Sequence, residues 1–151
     1  MKTILEYISI NKKPSIIQAN DKDFYKILRG ELDRVGLDAN LNHIDTSKIT
    51  NMANLFNGYN FNGDISKWNV SNVLYMQDMF AFCKDFNCDI SKWDVSNVTD
   101  MAYMFYECES FDQNISKWKI DNVKYYSKIF TKCGISNCYI PEKFKDFETA
   151  K

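Results

Sequence analysis

A 25-residue unit occurs three times in this chain without a gap. Residues 63–87 read GDISKWNVSNVLYMQDMFAFCKDFN, residues 88–112 read CDISKWDVSNVTDMAYMFYECESFD, and residues 113–137 read QNISKWKIDNVKYYSKIFTKCGISN. The first two units agree at 14 of 25 positions. Ile65, Ser66, Lys67, Trp68, Asn72, Val73, Phe80 and Cys83 recur in all three, at 25 and 50 residues further on. A degenerate copy precedes them: with a shift of 24, Leu41 aligns with Ile65, Ile44 with Trp68, Ile49 with Val73 and Met52 with Met76. A fragment, Cys138-Tyr139-Ile140, follows, and Pro141 ends the pattern. A unit this short has nothing of its own to pack against, so its apolar residues become a core only when neighbouring units lie together.

Spacing assigns the inward set. Trp68 and Val70 share one parity, as on one face of a strand, which turns Lys67 and Asn69 outward. Val73, Met76, Met79, Phe80 and Cys83 follow at offsets of 0, 3, 6, 7 and 10, which suits a helical stripe. The expected fold is therefore an α/β solenoid, a leucine-rich-repeat-like stack of about four coils, each a short strand plus a helix or turn. Such an array needs capped ends. Asn20–Val35 is the expected N-terminal capping helix, with Asn20 or Asp21 as N-cap, an apolar face of Phe24, Ile27, Leu28, Leu32 and Val35, and Gly36 as its stop. A short strand is expected at Ser15–Ala19, and Phe144 and Phe147 are expected to cover the far end. The domain plan is a cap at 1–39, the repeat array at 40–140 and a C-terminal cap or tail at 141–151.

The wording DISKWxVSNVxxMxxMFxxCxxFN resembles the BspA-type leucine-rich-repeat proteins, over about 100 residues from Leu41 to Ile140. The resemblance implies a protein-recognition scaffold with no catalytic residues of its own. Many members are bacterial surface proteins or lipoproteins, and similar cassettes occur in mobile elements and phages of gut bacteria. This chain differs from the surface members in showing no export signal or lipid anchor. Glu6 interrupts an apolar run too short for a signal core, and no stretch approaches a membrane span. A cytoplasmic place is expected, with a cell surface or virion as the alternative.

Lys and Arg number 19 against 20 Asp and Glu, a net charge of −1, so bulk charge offers no footprint for nucleic acid and no polybasic anchor for a membrane. The cysteines fall in two repeat positions, Cys83/Cys108/Cys133 and Cys88/Cys138, which reads as columns of small buried thiols rather than a zinc site or disulfides. His43, the one histidine, occupies a surface-type position. No phosphate-loop, nucleophile-elbow or zinc-protease string occurs, so neither an enzyme nor a cofactor is expected. Trp68, Trp93 and Trp118 have the parity of core residues, which argues against an aromatic platform for sugars. Asn72, Asn97 and Asn122 read as turn-forming residues. Three N-x-S/T strings, at Asn69, Asn97 and Asn114, are by-products of the repeat.

What remains for function is the exposed parity. Lys67, Lys92 and Lys117 form one outward column, and Asn69, Asp94 and Lys119 a second that changes from copy to copy. A framework that repeats while exposed positions vary is how such an array encodes a partner. The expected function is a non-enzymatic protein–protein interaction module that presents these six residues to another protein, as a monomer or weak homo-oligomer. A structural component of a virion or surface array, or an adhesin-derived protein, is the competing expectation.

Overall fold

The structure is a computed structural model that describes residues 16–145. Its elements are β1 (Ile17–Gln18), α1 (Phe24–Val35), β2 (Ile44–Asp45), a 3-10 turn (Asn137–Tyr139) and α2 (Glu142–Lys145). β1 and β2 pair in parallel, Ile17 beside Ile44 and Gln18 beside Asp45.

This inventory overturns the α/β solenoid expectation. No stack of strand-plus-helix coils forms: between residues 46 and 136 the backbone holds neither a helix nor a strand, only turns and single-residue bridges. The reason lies in where the amides go. Trp68 N–H bonds Ile65 O, Val73 bonds Val70, Met79 bonds Met76, Cys83 bonds Phe80, and Phe86 bonds Cys83, at 2.9–3.2 Å. Each three-residue gap between apolar residues is thus the span of one turn, not one step around a helix. The Trp68–Val70 strand is absent because the amides of Trp68 and Val73 close local turns instead of reaching a neighbour.

The remaining turn amides reach sideways. Met76, Asp78, Phe80 and Phe82 donate to the carbonyls of Asp100, Ala102, Met104 and Tyr106 at 2.8–3.0 Å. Met101, Tyr103, Phe105 and Glu107 repeat the pattern on Tyr125, Ser127, Ile129 and Thr131. Alternate residues along the turn therefore serve the next repeat, and those between serve their own. Turning the backbone this sharply places Asp78, Phe82, Tyr103, Glu107, Lys128 and Lys132 at φ of 53–63°, in the left-handed region. Gly58, at φ 74°, holds the corresponding place in the degenerate copy, where a glycine costs nothing sterically. Isolated parallel bridges join Asn51, Tyr75, Asp100 and Tyr125 in series.

The repeated apolar residues form one buried cluster with part of α1 and with Phe144. Rings dominate it. Phe56, Phe80, Phe105 and Phe130 run in series at 5.6, 5.7 and 5.8 Å, and each of the first three stacks at 3.9–4.2 Å on Phe61, Phe86 or Phe111. Trp68, Trp93 and Trp118 are buried, and their indole N–H groups donate to Leu41, Ile65 and Ile90 carbonyls. Trp93 lies in the same buried cluster as Met101 and Phe105, and its ring is 6.4 Å from Phe80 of the preceding repeat. Asn72, Asn97 and Asn122 each donate at 2.7 Å to a serine carbonyl one repeat earlier, so this ladder ties repeats together.

α1 covers the first repeat with Phe24, Leu28 and Leu32, and Phe24 meets Trp68 edge-on at 5.7 Å. The helix begins four residues later than expected. Asn20 is drawn into a turn with Asp23, and Asp21 reaches across to accept from Thr50 N–H, Thr50 Oγ1 and Asn51 N–H. Val35, assigned to the apolar face, is 37% exposed. At the other end Phe144 packs on Phe130 and Tyr126. Lys143 Nζ donates to the Ile120, Asp121 and Val123 carbonyls. Ser15 and Phe147 lie outside the described residues.

Two outcomes test this packing. Trp93→Ala should lower stability by about 3–5 kcal/mol, the usual cost of truncating a large buried aromatic, and a denaturant titration reads it. Asp21 gives a pH signature. Burial raises its carboxyl, but the hydrogen bonds from Thr50 and Asn51 outweigh that and hold it below the ordinary value. A lowered folded pKa adds stability above the unfolded value of about 3.9 and loses it as pH falls through the folded value. Asp21→Asn should therefore lower the thermal midpoint at pH 7, and the gap to wild type should close as the pH is lowered past that range.

Candidate partner-binding surface

The six candidate residues sit at the tips of two turns. In the first, Asp64 Oδ1 accepts from Ser66 N–H and Oγ, Asp89 Oδ1 from Ser91 N–H, and Asn114 Oδ1 from Ser116 N–H and Oγ. A short acceptor two residues before a serine fixes this bend. Lys67, Lys92 and Lys117 come next in sequence, and all three are exposed. In the second turn, Asn69 Oδ1 accepts from Ser71 N–H and Oγ, and Asp94 Oδ1 from Ser96 N–H. Lys119 holds the third such position, and all three residues of this column are exposed. Asn69 and Asp94 thus shape their own turns, a role that their variation between copies does not reveal.

The lysines are not a bare row of like charges. Hydrogen bonds from Ser91, together with the nearby Lys92, hold the Asp89 carboxyl below its ordinary value. Ser96, and then Lys119 of the next repeat, do the same for Asp94. At Asp64 burial opposes the shift, but bonds from Ser66 and the charge of Lys67 prevail. Lys67 and Lys92 each have a carboxylate in their own turn. Lys117 does not, because Asn114 replaces the aspartate. Positive potential on this surface is therefore weighted toward Lys117.

The other chemistry-bearing residues differ from expectation. His43 is not a solvated surface residue. Its side chain is 8% exposed, and Nε2 lies 2.7 Å from Glu31 Oε2, which Arg34 also engages at 2.6 Å. The ring thereby links α1 to the first repeat, a contact whose two members are twelve residues apart and which no local motif announces. The five cysteines are free but not uniformly buried. Cys83 and Cys108 are buried and donate to the Phe56 and Phe80 carbonyls. Burial pushes the Cys83 thiol up to about 12 and raises Cys108 further, while Cys88 is also raised. Cys138 is exposed. Among the described residues no group of three or more His, Cys, Asp or Glu is placed to hold a metal ion, and no helix is long and apolar enough to cross a membrane.

A family model described as "Mycoplasma protein of unknown function, DUF285" matches residues 27–142. Its bounds take in most of α1, all of the repeats and the first residue of α2. No curated protein and no solved structure matches the chain.

The thiols offer a direct check. With iodoacetamide under native conditions Cys138 should react first, and Cys83 and Cys108 should resist until the chain is unfolded, because the thiolate is the reactive form. Peptide mapping by mass spectrometry reads the order.

Proposed function

The chain belongs to the DUF285 family, and on that premise we propose that it is a non-enzymatic module that recognises another protein through the turn tips of its repeats. One observation carries the reading. The framework is the same from copy to copy, with buried Phe, Met and Trp positions and Asn ties. The solvent-facing residues at the second tip run Asn69, Asp94, Lys119. A surface of constant geometry and changing chemistry suits selective contact rather than turnover. The raised thiols of Cys83, Cys88 and Cys108 favour the same reading, since burial holds them in the unreactive thiol form.

The bacterial part of the expected origin is in line with the family's description. The finer kinship proposed here is with BspA-type repeat proteins, in the wording of the repeat and not in a strand-and-helix coil. The partner surface that fits is acidic. It would meet Lys117 most strongly, with Lys67 and Lys92 beside it and Asn69, Asp94 and Lys119 setting register. A cytoplasmic encounter, without nucleic acid, membrane or cofactor, is part of the proposal.

Lys92→Glu with Lys117→Glu should leave the fold intact, since both side chains are exposed. It should weaken capture of the partner, with a loss that shrinks as salt rises. The measurement is affinity for the captured partner at two salt concentrations, with circular dichroism as the folding control. Unchanged affinity at both would remove these tips from the interface.

A further inference from the structure

A second surface has a different composition. The parallel bridges Asn51–Tyr75–Asp100–Tyr125 set one residue from each repeat side by side, and in-register neighbours of this kind send their side chains the same way, about 4.8 Å apart. Tyr75 is 43% exposed and Tyr125 64%, and Leu74 beside Tyr75 is 38% exposed. Asp100 therefore stands between two accessible phenol rings. Its Oδ1 accepts from Ala102 N–H, which fixes the carboxylate in place. Asp78, in the preceding repeat, is close enough to feel it: burial first, and then the charge of Asp100, raise the Asp78 carboxyl. Among the described residues neither carboxylate has an ion-pair partner. One cation already uses an adjoining ring, for Lys128 Nζ lies 5.7 Å from the centre of Tyr103.

We infer that the Tyr75–Asp100–Tyr125 stripe is a docking surface for an arginine-bearing segment of a partner protein. An apolar partner would bury two carboxylates without compensation, and an acidic one would add repulsion. A guanidinium satisfies both features at once. Its plane stacks on a tyrosine face while its fork donates to Asp100, and the added charge relieves the repulsion between Asp78 and Asp100. Arginine suits the stripe better than lysine because a compact, strongly hydrated ammonium cannot stack and donate in two directions together. This surface shares no residue with the lysine tips and stands or falls independently of them.

The probe is hexa-arginine peptide added to the full chain, followed by amide NMR and titration calorimetry, with hexa-glutamate as the opposite-charge control. Shifts should centre on Tyr75, Asp78, Asp100 and Tyr125. Asp100→Asn keeps the acceptor for Ala102, and Tyr125→Ala alters an exposed ring, so both variants should fold. Together they should weaken hexa-arginine binding about ten-fold, the scale of one lost charge-assisted contact and one lost ring contact. Glu109→Gln, which removes an exposed carboxylate elsewhere, should change it little. Shifts confined to other residues, unaltered affinity in the double variant, or an equal loss in Glu109→Gln would each overturn the inference.

Discussion

Half of the turn amides in each repeat have no acceptor within that repeat. Met76, Asp78, Phe80 and Phe82 depend on the carbonyls of Asp100 to Tyr106, just as Met101 to Glu107 depend on Tyr125 to Thr131. A buried amide left unpaired costs about 1–3 kcal/mol, so four per repeat are beyond what a single repeat can tolerate. This obligation explains the gapless 25-residue period better than core packing does. An apolar cluster accepts a slipped residue with modest loss, whereas a row of lateral hydrogen bonds at every second residue does not. Where one residue is missing, in the degenerate copy, Gly58 occupies the left-handed position, and Met52, Asn54, Phe56 and Gly58 still reach Tyr75, Gln77, Met79 and Ala81.

The same arrangement shows which parts of the fold were legible in the sequence. Burial was: Trp68, Val70, Val73, Met76, Met79, Phe80 and Phe86 are all inward, because apolar identity reports burial whatever the backbone does. Secondary structure within the repeats was not, although α1 and β1 were. Offsets of three residues suit a helix and a chain of turns equally, since both bring residue i near residue i+3. What distinguishes them is the left-handed backbone at Asp78 and Phe82, and at Tyr103 and Glu107. Phe82, Tyr103 and Glu107 give no warning of it, and the cues that exist, Asp78 and the Asn54 and Gly58 of the degenerate copy, stand singly. The strand expected at Trp68–Val70 failed for a related reason: alternation of burial over three residues is also what two adjoining turns produce.

Site residues divided along the same line. The exposure of the lysine tips followed from parity with the tryptophans. The loads carried by Asn69 and Asp94 inside their turns did not, although an acceptor two residues before serine is a readable cue in hindsight. The His43–Glu31 contact was hidden because it joins α1 to a repeat, whereas the Tyr75–Asp100–Tyr125 column could have been read from the 25-residue period, as the lysine column was. What the spacing did not show is that the two tyrosines of this column are exposed. The bridges put the column in register.

The ends of the array are closed by different means. At the first repeat the leftover groups nearest α1 include the Ala53 and Asn54 carbonyls, and Tyr25 Oη donates to both, while the Asp21 carboxylate accepts from Thr50 and Asn51. At the last repeat the carbonyls of Ile120, Asp121 and Val123 converge on the single ammonium of Lys143. A phenol donor and a carboxylate acceptor serve the first end, and an ammonium donor serves carbonyls at the last. Both caps put an aromatic ring, Phe24 or Phe144, against the nearest Trp or Phe of the array. Each cap thus satisfies polar backbone and covers apolar rings in the same short segment, which leaves the flanks of the repeats, where the lysine tips and the tyrosine stripe lie, as the surfaces open to a partner.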